Sequence, residues 1–460
     1  MQKPPSSSSS SSSSAVSPTL IGKITGIAGV RPEEVSLLLW SMLYIFCVLS
    51  SYYVIRPVRD TLGIDGGVDN LQWLFAATLV VMLLLTLPFS ALSARLPRRR
   101  FIPWVYRFFI SHLIIFAVLM AFLPQGNDHR WLGRVFFVWV SVFNLYVVSV
   151  FWSMVADIFD RERASRLFSL MAAGATLGAV IGSLLTTALV RWLNMSGLFV
   201  LAAVLLEVAV FCVHRLNSLV RQRPLTTPSH SEKQSGDSAD GAVGGGIFAG
   251  MAAIARSGYL LNICLYMLLF SVTSTFVYFR QATLVDQLFT SNDSRTTFFA
   301  ASDLAVNILT LISQLLITGR LLSRYGTRRV LGILPLITLA GFALLSVWPT
   351  LAGLFIFAVL RRAGNFAFAR PAREVLFTVL SREQKYKAKN VTDTVVYRAG
   401  DQAGAWSWTA MNALGLSGSL IAWLAIPLSL VWFLNSLWLG KKQKWLEQHQ
   451  SRADTPAQGE

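Results

Sequence analysis

Charge is scarce in this chain, and negative charge is scarcer than positive. Only 14% of the 460 residues are charged, with 23 Asp and Glu against 40 Lys and Arg. Soluble domains carry roughly a quarter charged residues. With 54% hydrophobic residues and a mean hydropathy of +0.55, this sequence is too apolar to be one, and it reads as an integral membrane protein. Cysteine is nearly absent. Cys47, Cys212 and Cys264 stand inside apolar runs without CxxC spacing, which argues against a disulfide framework or a zinc site. Paired catalytic carboxylates, metal-ligand spacings and a nucleophile with its base are lacking too, so neither an enzyme nor a cofactor is expected. The net charge of +17 needs no nucleic acid to explain it, because basic loops on one side of a membrane give the same excess.

What is present is a succession of apolar runs of about 20 residues, the length that crosses a bilayer. Six lie near 35–55, 71–93, 102–123, 135–156, 168–192 and 196–215. A polar stretch follows, and six more lie near 259–280, 297–318, 330–348, 351–373, 391–413 and 417–438. The expectation is an all-α polytopic protein of twelve transmembrane helices in two pseudo-symmetric six-helix halves, 35–215 and 259–439, the plan of a duplicated transporter. Residues 216–258 would be a cytoplasmic linker, 440–460 a cytoplasmic tail, and the Ser-rich residues 1–34 a disordered tail. A short plastid transit peptide is the other reading of that start.

Basic residues crowd alternate loops: Arg95 and Arg98 to Arg100, Arg161 to Arg166, Arg215 to Lys233, Arg320 to Arg329, Arg382 to Lys389, and Lys441 to Lys444. Since Lys and Arg are retained inside, both termini should be cytoplasmic, in a cell (inner) membrane. Two of these loops repeat each other. SALSARLPRRRF (Ser90 to Phe101) and GRLLSRYGTRRV (Gly319 to Val330) align Arg95 with Arg324, Arg99 with Arg328 and Arg100 with Arg329. The second resembles the major facilitator loop signature through Gly319, Leu321, Arg324, Gly326 and Arg328, with Ser323 in place of its aspartate.

Ionisable groups inside apolar runs are costly and usually face a partner or an aqueous cavity. They concentrate between Arg370 and Gly404, where Arg373, Glu374, Asp393, Arg398 and Asp401 fall, and Arg362 lies just before. Arg362, Arg370 and Arg373, at i, i+8 and i+11, would lie near one helical face around Pro371. Arginine's fork of donors suits carboxylate and phosphate, which implies an anionic substrate; structural salt bridges to Asp303, Glu207 or Asp401 are the alternative. The first run ends in Arg56, Arg59 and Asp60, at the membrane edge, with Arg280 at the corresponding place in the second half. The two arginines would face one cavity. Asp303, Asn307, Thr310 and Gln314 recur at i, i+4, i+7 and i+11, a polar stripe fit to line that cavity. Gly174, Gly178 and Gly182 form a stripe for close helix packing. Glu207 stands alone in its run.

These patches resemble the non-mitochondrial nucleotide translocase family of plastids and intracellular bacteria, whose members exchange ATP for ADP or carry other nucleotides. The resemblance is carried by Arg56, Asp60, Thr61 and Leu62; by Phe151, Trp152, Ala164 and Arg166; and by Pro371, Arg373, Glu374, Lys385, Lys387, Lys389, Asp393, Val395, Arg398, Gly400 and Gly404. Two departures stand out. Asp401 occupies the place of the lysine in the family's Gly-Lys-Ser-Gly-Gly, and nothing acidic lies between Asp128 and Asp157 in the fourth helix, where the family has a carboxylate.

The candidate substrate-binding set is Arg56, Arg59, Asp60, Arg280, Asp303, Asn307, Arg362, Arg373, Glu374, Asp393, Arg398 and Asp401. The expected function is secondary active transport of an organic anion, a nucleotide or phosphorylated metabolite, by alternating access. The partners are a small anionic substrate, protons as a candidate co-substrate and the lipid bilayer, with a monomer as the expected form. A transport-inactive membrane scaffold or sensor on the same fold is the alternative. Reversal of sign at Asp401 implies weak ATP/ADP exchange.

Overall fold

The computed structural model describes residues 34–95, 98–123, 126–159, 161–222 and 254–453. Residues 1–33, the centre of the expected linker (223–253) and residues 454–460 lie outside the described residues, as do the side chains of 90–100 and 160–166.

Every regular element among the described residues is helical. A chain in hydrocarbon must satisfy its backbone internally, and long apolar runs do so as helices. They are α1 (Val35–Asp65), α2 (Leu71–Arg95), α3 (Arg98–Phe122), α4 (Asn127–Ile158), α5 (Arg161–Gln222), α6 (Gly258–Leu288), α7 (Asn292–Ser313), α8 (Gly319–Val347), α9 (Leu351–Gly364), α10 (Arg370–Leu376), α11 (Arg382–Val391), α12 (Tyr397–Ala413) and α13 (Gly418–Ala453). Three π-helical turns, Gln314–Thr318, Asn365–Ala369 and Thr392–Val396, join neighbouring segments of the second series.

Nine stretches among the described residues are long and apolar enough to cross a membrane. Two of them, Leu170–Gln222 and Asn292–Val347, have 53 and 56 residues, about 80 Å at 1.5 Å per residue against a hydrocarbon thickness of about 30 Å. Both are broken. Asn194 (φ 53°) interrupts α5 and Gly326 (φ 71°) interrupts α8, and these residue types tolerate a positive φ best. The breaks fall between the runs expected at 168–192 and 196–215 and at 297–318 and 330–348.

α1 differs from expectation. It continues through Pro57 to Asp65, so Arg56, Arg59 and Asp60 lie inside the bundle and not at a membrane edge. Two other helices also outrun their apolar runs. α5 continues to Gln222, with Leu216 buried and Leu219 and Val220 packed beside it. α13 continues to Ala453, with Leu439 buried, Leu446 packed against the core and Gln450 Nε2 donating to the Val379 carbonyl at 2.9 Å. Burial of these side chains, absent from a hydropathy count, extends both helices into the regions expected as linker and tail.

Three apolar cores organise the bundle. One consists only of residues up to Leu216 and another only of residues from Ile254 onward. The third joins the two series, with Ile64, Leu71, Leu74 and Phe137 packed with Phe276, Phe279, Phe299, Phe357, Trp408 and Ile421. All of these lie near the end of the bundle marked by the turn at Gly66. At the opposite end the cores are separate.

Each series has a tight seam built on glycines four residues apart. On α5, Gly174, Gly178 and Gly182 face α1 so closely that an added Cβ would meet the backbone of Met42, Phe46 and Ser50. Ser50 Oγ donates to the Gly178 carbonyl at 3.0 Å and Thr186 Oγ1 to that of Val54 at 3.2 Å. On α12, Gly400 and Gly404 face Ser271 and Thr275 of α6 in the same manner.

Candidate functional site

Asp303 is the centre of the polar network between the two series. It is 2% exposed on α7, about 15 Å along the helix axis from the Gly66 end. Its Oδ1 accepts from Arg56 Nη1 of α1 at 2.7 Å and lies 2.7 Å from Arg362 Nη2 of α9. Its Oδ2 is buried without a hydrogen-bond partner. Part of the stripe on α7 faces the first series. Asn307 Nδ2 donates to Ser183 Oγ of α5 at 3.3 Å, and Thr310 is buried beside it. Gln314 turns away, donating to the Phe366 carbonyl at 3.3 Å.

One turn beyond Arg56, the Arg59 guanidinium donates to Asp60 Oδ1 through Nε at 3.0 Å and Nη2 at 2.6 Å. Tyr278 of α6 donates its hydroxyl to the same oxygen at 3.2 Å. The Arg59 guanidinium also lies over the Phe137 ring, 4.8 Å from its centroid. Nearer the Gly66 end, Thr61 and Thr296 hydroxyls meet at 2.9 Å, and Asp65 lies 3.9 Å from Arg295.

Two expectations need correction. Arg280 does not share the Arg56 cavity; its guanidinium crowds Gly418 at the start of α13, and Tyr278, two residues earlier, takes the facing position. Arg362, Arg370 and Arg373 do not share a face. The π turn Asn365–Ala369 between them bonds over five residues instead of four, which shifts the register of everything after it. Pro371 explains that turn, since it has no N–H for the Ala367 carbonyl, and Thr318 Oγ1 supplies the missing donor at 3.0 Å. Glu207 pairs with Arg107 at 3.4 Å on a face where both side chains are more than half exposed.

Arg373 lies on the second-series core, its Nη1 2.6 Å from Met267 Sδ and its Nη2 3.4 Å from Asp393 Oδ1, an ion pair without hydrogen-bond geometry. Glu374 bonds Lys389 at 2.6 Å near the bundle end. Arg398 stands 3.6 Å from Asp401 and donates to Met82 Sδ of α2 at 3.3 Å. Asp401, 7% exposed, accepts from Ser271 Oγ at 2.5 Å.

The salt-bridge alternative would give Arg361, next to Arg362, an acidic partner as well. Among the described residues it has none, and it donates instead to Thr338, Ser274, Thr273 and the Phe270 carbonyl at 2.9–3.2 Å. The hydroxyl cluster Ser271, Thr273, Ser274 and Thr275 inside an apolar run was the available signal. No group of three metal-ligating side chains occurs among the described residues.

Comparison with known proteins places this geometry. The chain is 22% identical to ADP,ATP carrier protein 1 of Chlamydia muridarum over 481 aligned positions, covering 90% of this chain and 89% of the relative. Its fold matches that of a bacterial homologue of the iron transporter ferroportin in an inward-facing state, with TM-score 0.59 at 15% identity and coverage of 89% and 98%. It also matches the nucleoside transporter NupG, with TM-score 0.56 at 13% identity and coverage of 89% and 99%. The profile of the Major Facilitator Superfamily matches residues 35–301. That is more than half of the chain, and this multi-pass, all-helical membrane protein belongs to the Major Facilitator Superfamily.

Proposed function

We propose that the chain is a secondary active transporter that moves an organic anion, a nucleotide or phosphorylated metabolite, by alternating access. The observation that carries the reading is the sharing of one Asp303 oxygen by Arg56 and Arg362, at 2.7 Å each. Two guanidinium forks from opposite sides of the junction converge on a single carboxylate there, and an anionic substrate that displaces it would meet both. Arg59 and Arg398 stand along the same junction and extend the cationic lining. The name of the Chlamydia relative, an ADP,ATP carrier, agrees with a phosphorylated substrate.

Twelve spans in two six-helix halves are part of the proposal. The nine membrane-length stretches, divided at Asn194 and Gly326 and joined by the more polar α12, make that number. The core shared at the Gly66 end and split at the other favours a state open on the opposite side. Basic loops assign that open side to the cytoplasm, with both termini there and the protein in a cell (inner) membrane. Asp401, bonded to Ser271 and close to Arg398, acts in this reading to neutralise Arg398, which favours a smaller anion over ATP.

Counterflow in proteoliposomes against labelled nucleotides, sugar phosphates and carboxylates tests the reading. Exchange of at least one anion is expected. Arg362→Gln should weaken it roughly tenfold or more, as loss of a charged contact does, while detergent unfolding shows an inserted, folded protein. Transport of neutral solutes only, or full activity in Arg362→Gln, would overturn the proposal. Robust ATP/ADP exchange would overturn the role given to Asp401.

A further inference from the structure

A long cavity of about 820 Å³ lies to one side of the Asp303 network, between α2, α3 and α4. It extends from Trp73 to Phe89 along α2, about 24 Å at the helical rise. That is most of the hydrocarbon thickness of about 30 Å. Its wall is apolar and contains no Asp or Glu. Trp73, Trp104, Phe108 and Trp131 on its rim are exposed, so in a multi-pass protein the cavity opens sideways to the acyl chains of the bilayer.

One cation lines it. Arg134 sits at the Gly66 end, over the Trp131 ring at 4.7 Å, with Nη2 held by the Gly66 carbonyl at 2.8 Å. It forms no ion pair among the described residues, and its Nε is buried without a partner. An uncompensated guanidinium beside an interfacial tryptophan, above an acyl-length apolar slot, is the chemistry of a lipid headgroup site.

We propose that this cleft binds one anionic phospholipid of the surrounding bilayer, with an acyl chain along α2 and the phosphate at Arg134. Apolar contact holds the chain, and Arg134 selects the head. The cleft also adjoins the junction, because Trp73 on its rim meets Trp406 of α12 at 4.9 Å. A bound lipid therefore touches the same contact that the two series make at the Gly66 end.

The test is native mass spectrometry of the full chain after incubation with equal amounts of dioleoyl-phosphatidylglycerol and dioleoyl-phosphatidylcholine in mixed micelles. The unmodified protein should retain one phospholipid, with the anionic lipid preferred about fivefold, the worth of one basic side chain beside an anionic head. Ala77→Trp, which fills the slot, should retain none, and Val138→Phe gives a second blocked cleft should the first fail to fold. Arg134→Gln should keep the lipid but lose the preference, and Arg134→Lys should restore it. Retention by the blocked variants equal to that of the unmodified chain, or a preference unchanged in Arg134→Gln, would overturn the assignment.

Discussion

The two glycine seams solve one packing problem with different chemistry. Between α1 and α5 the contact is neutral throughout: glycines against backbone, with Ser50 and Thr186 bonded to carbonyls. Between α6 and α12 the same close approach at Gly400 and Gly404 carries an ionic cluster, because the single Ser271 hydroxyl proton lies between the Asp401 carboxylate at 2.5 Å and the Tyr397 carbonyl at 2.8 Å. Close helix packing thus serves as mere scaffold in one series. In the other it holds a charge beside Arg398, which reaches across to Met82.

The largest effect should come from filling either seam. An added Cβ at Gly178 would strike the Phe46 carbonyl, and at Gly404 it would come within 2.9 Å of Thr275 Cβ and 3.0 Å of the Val272 carbonyl. Backbone cannot swing aside, so Gly178→Leu and Gly404→Leu should each destabilise by more than about 3 kcal/mol, above the usual cost of overpacking. Loss of the monodisperse peak in detergent chromatography is the measurement. A well-folded Gly178→Leu protein would mean that the first seam is looser than its geometry.

A smaller effect should separate the seams by charge. Asp401→Asn keeps the shape and an acceptor oxygen but removes the charge that strengthens the Ser271 bond, so it should cost about 1.5–3 kcal/mol and leave Arg398 unneutralised. Detergent unfolding reads the first consequence and stronger binding of multiply charged anions the second. If Asp401→Asn unfolds like the unmodified protein, the ionic seam contributes nothing to stability.

The smallest effect, at Ser50, is read against the matching serine of the other seam. Ser50→Ala loses one neutral bond, worth about 1 kcal/mol, whereas Ser271→Ala also strips the buried Asp401 of its short donor and should cost up to about 3 kcal/mol. Equal shifts in unfolding temperature would erase the distinction drawn between the seams.

Much of the packing could be read before folding, and less of the site. The stripe Gly174, Gly178 and Gly182 announced its seam because repeats every four residues share a helical face. Asp303 and Asn307 were legible for the same reason, whereas for Arg362 the sequence offered Asp303 only as one of three acidic partners. Arg280 and Tyr278 were not. They stand two residues apart inside α6, and only the approach of α13 at Gly418 decides which of them turns inward. Arg373 was misplaced relative to Arg362 because a π turn, compelled by Pro371 and satisfied by Thr318, rotates the register between them.

By itself the sequence determined that the chain crosses a membrane as helices, where those helices break, and which faces are small or polar. Apolar run length, glycine spacing and the need to satisfy the backbone in hydrocarbon are local properties, and local properties survive without a tertiary structure. Only the tertiary structure decided that Arg56 and Arg362 share one oxygen of Asp303, that Arg361 is held by hydroxyls, and that Asp401 bonds Ser271. Each of those pairings depends on how distant helices approach and rotate, and buried charge takes whatever partner that approach supplies.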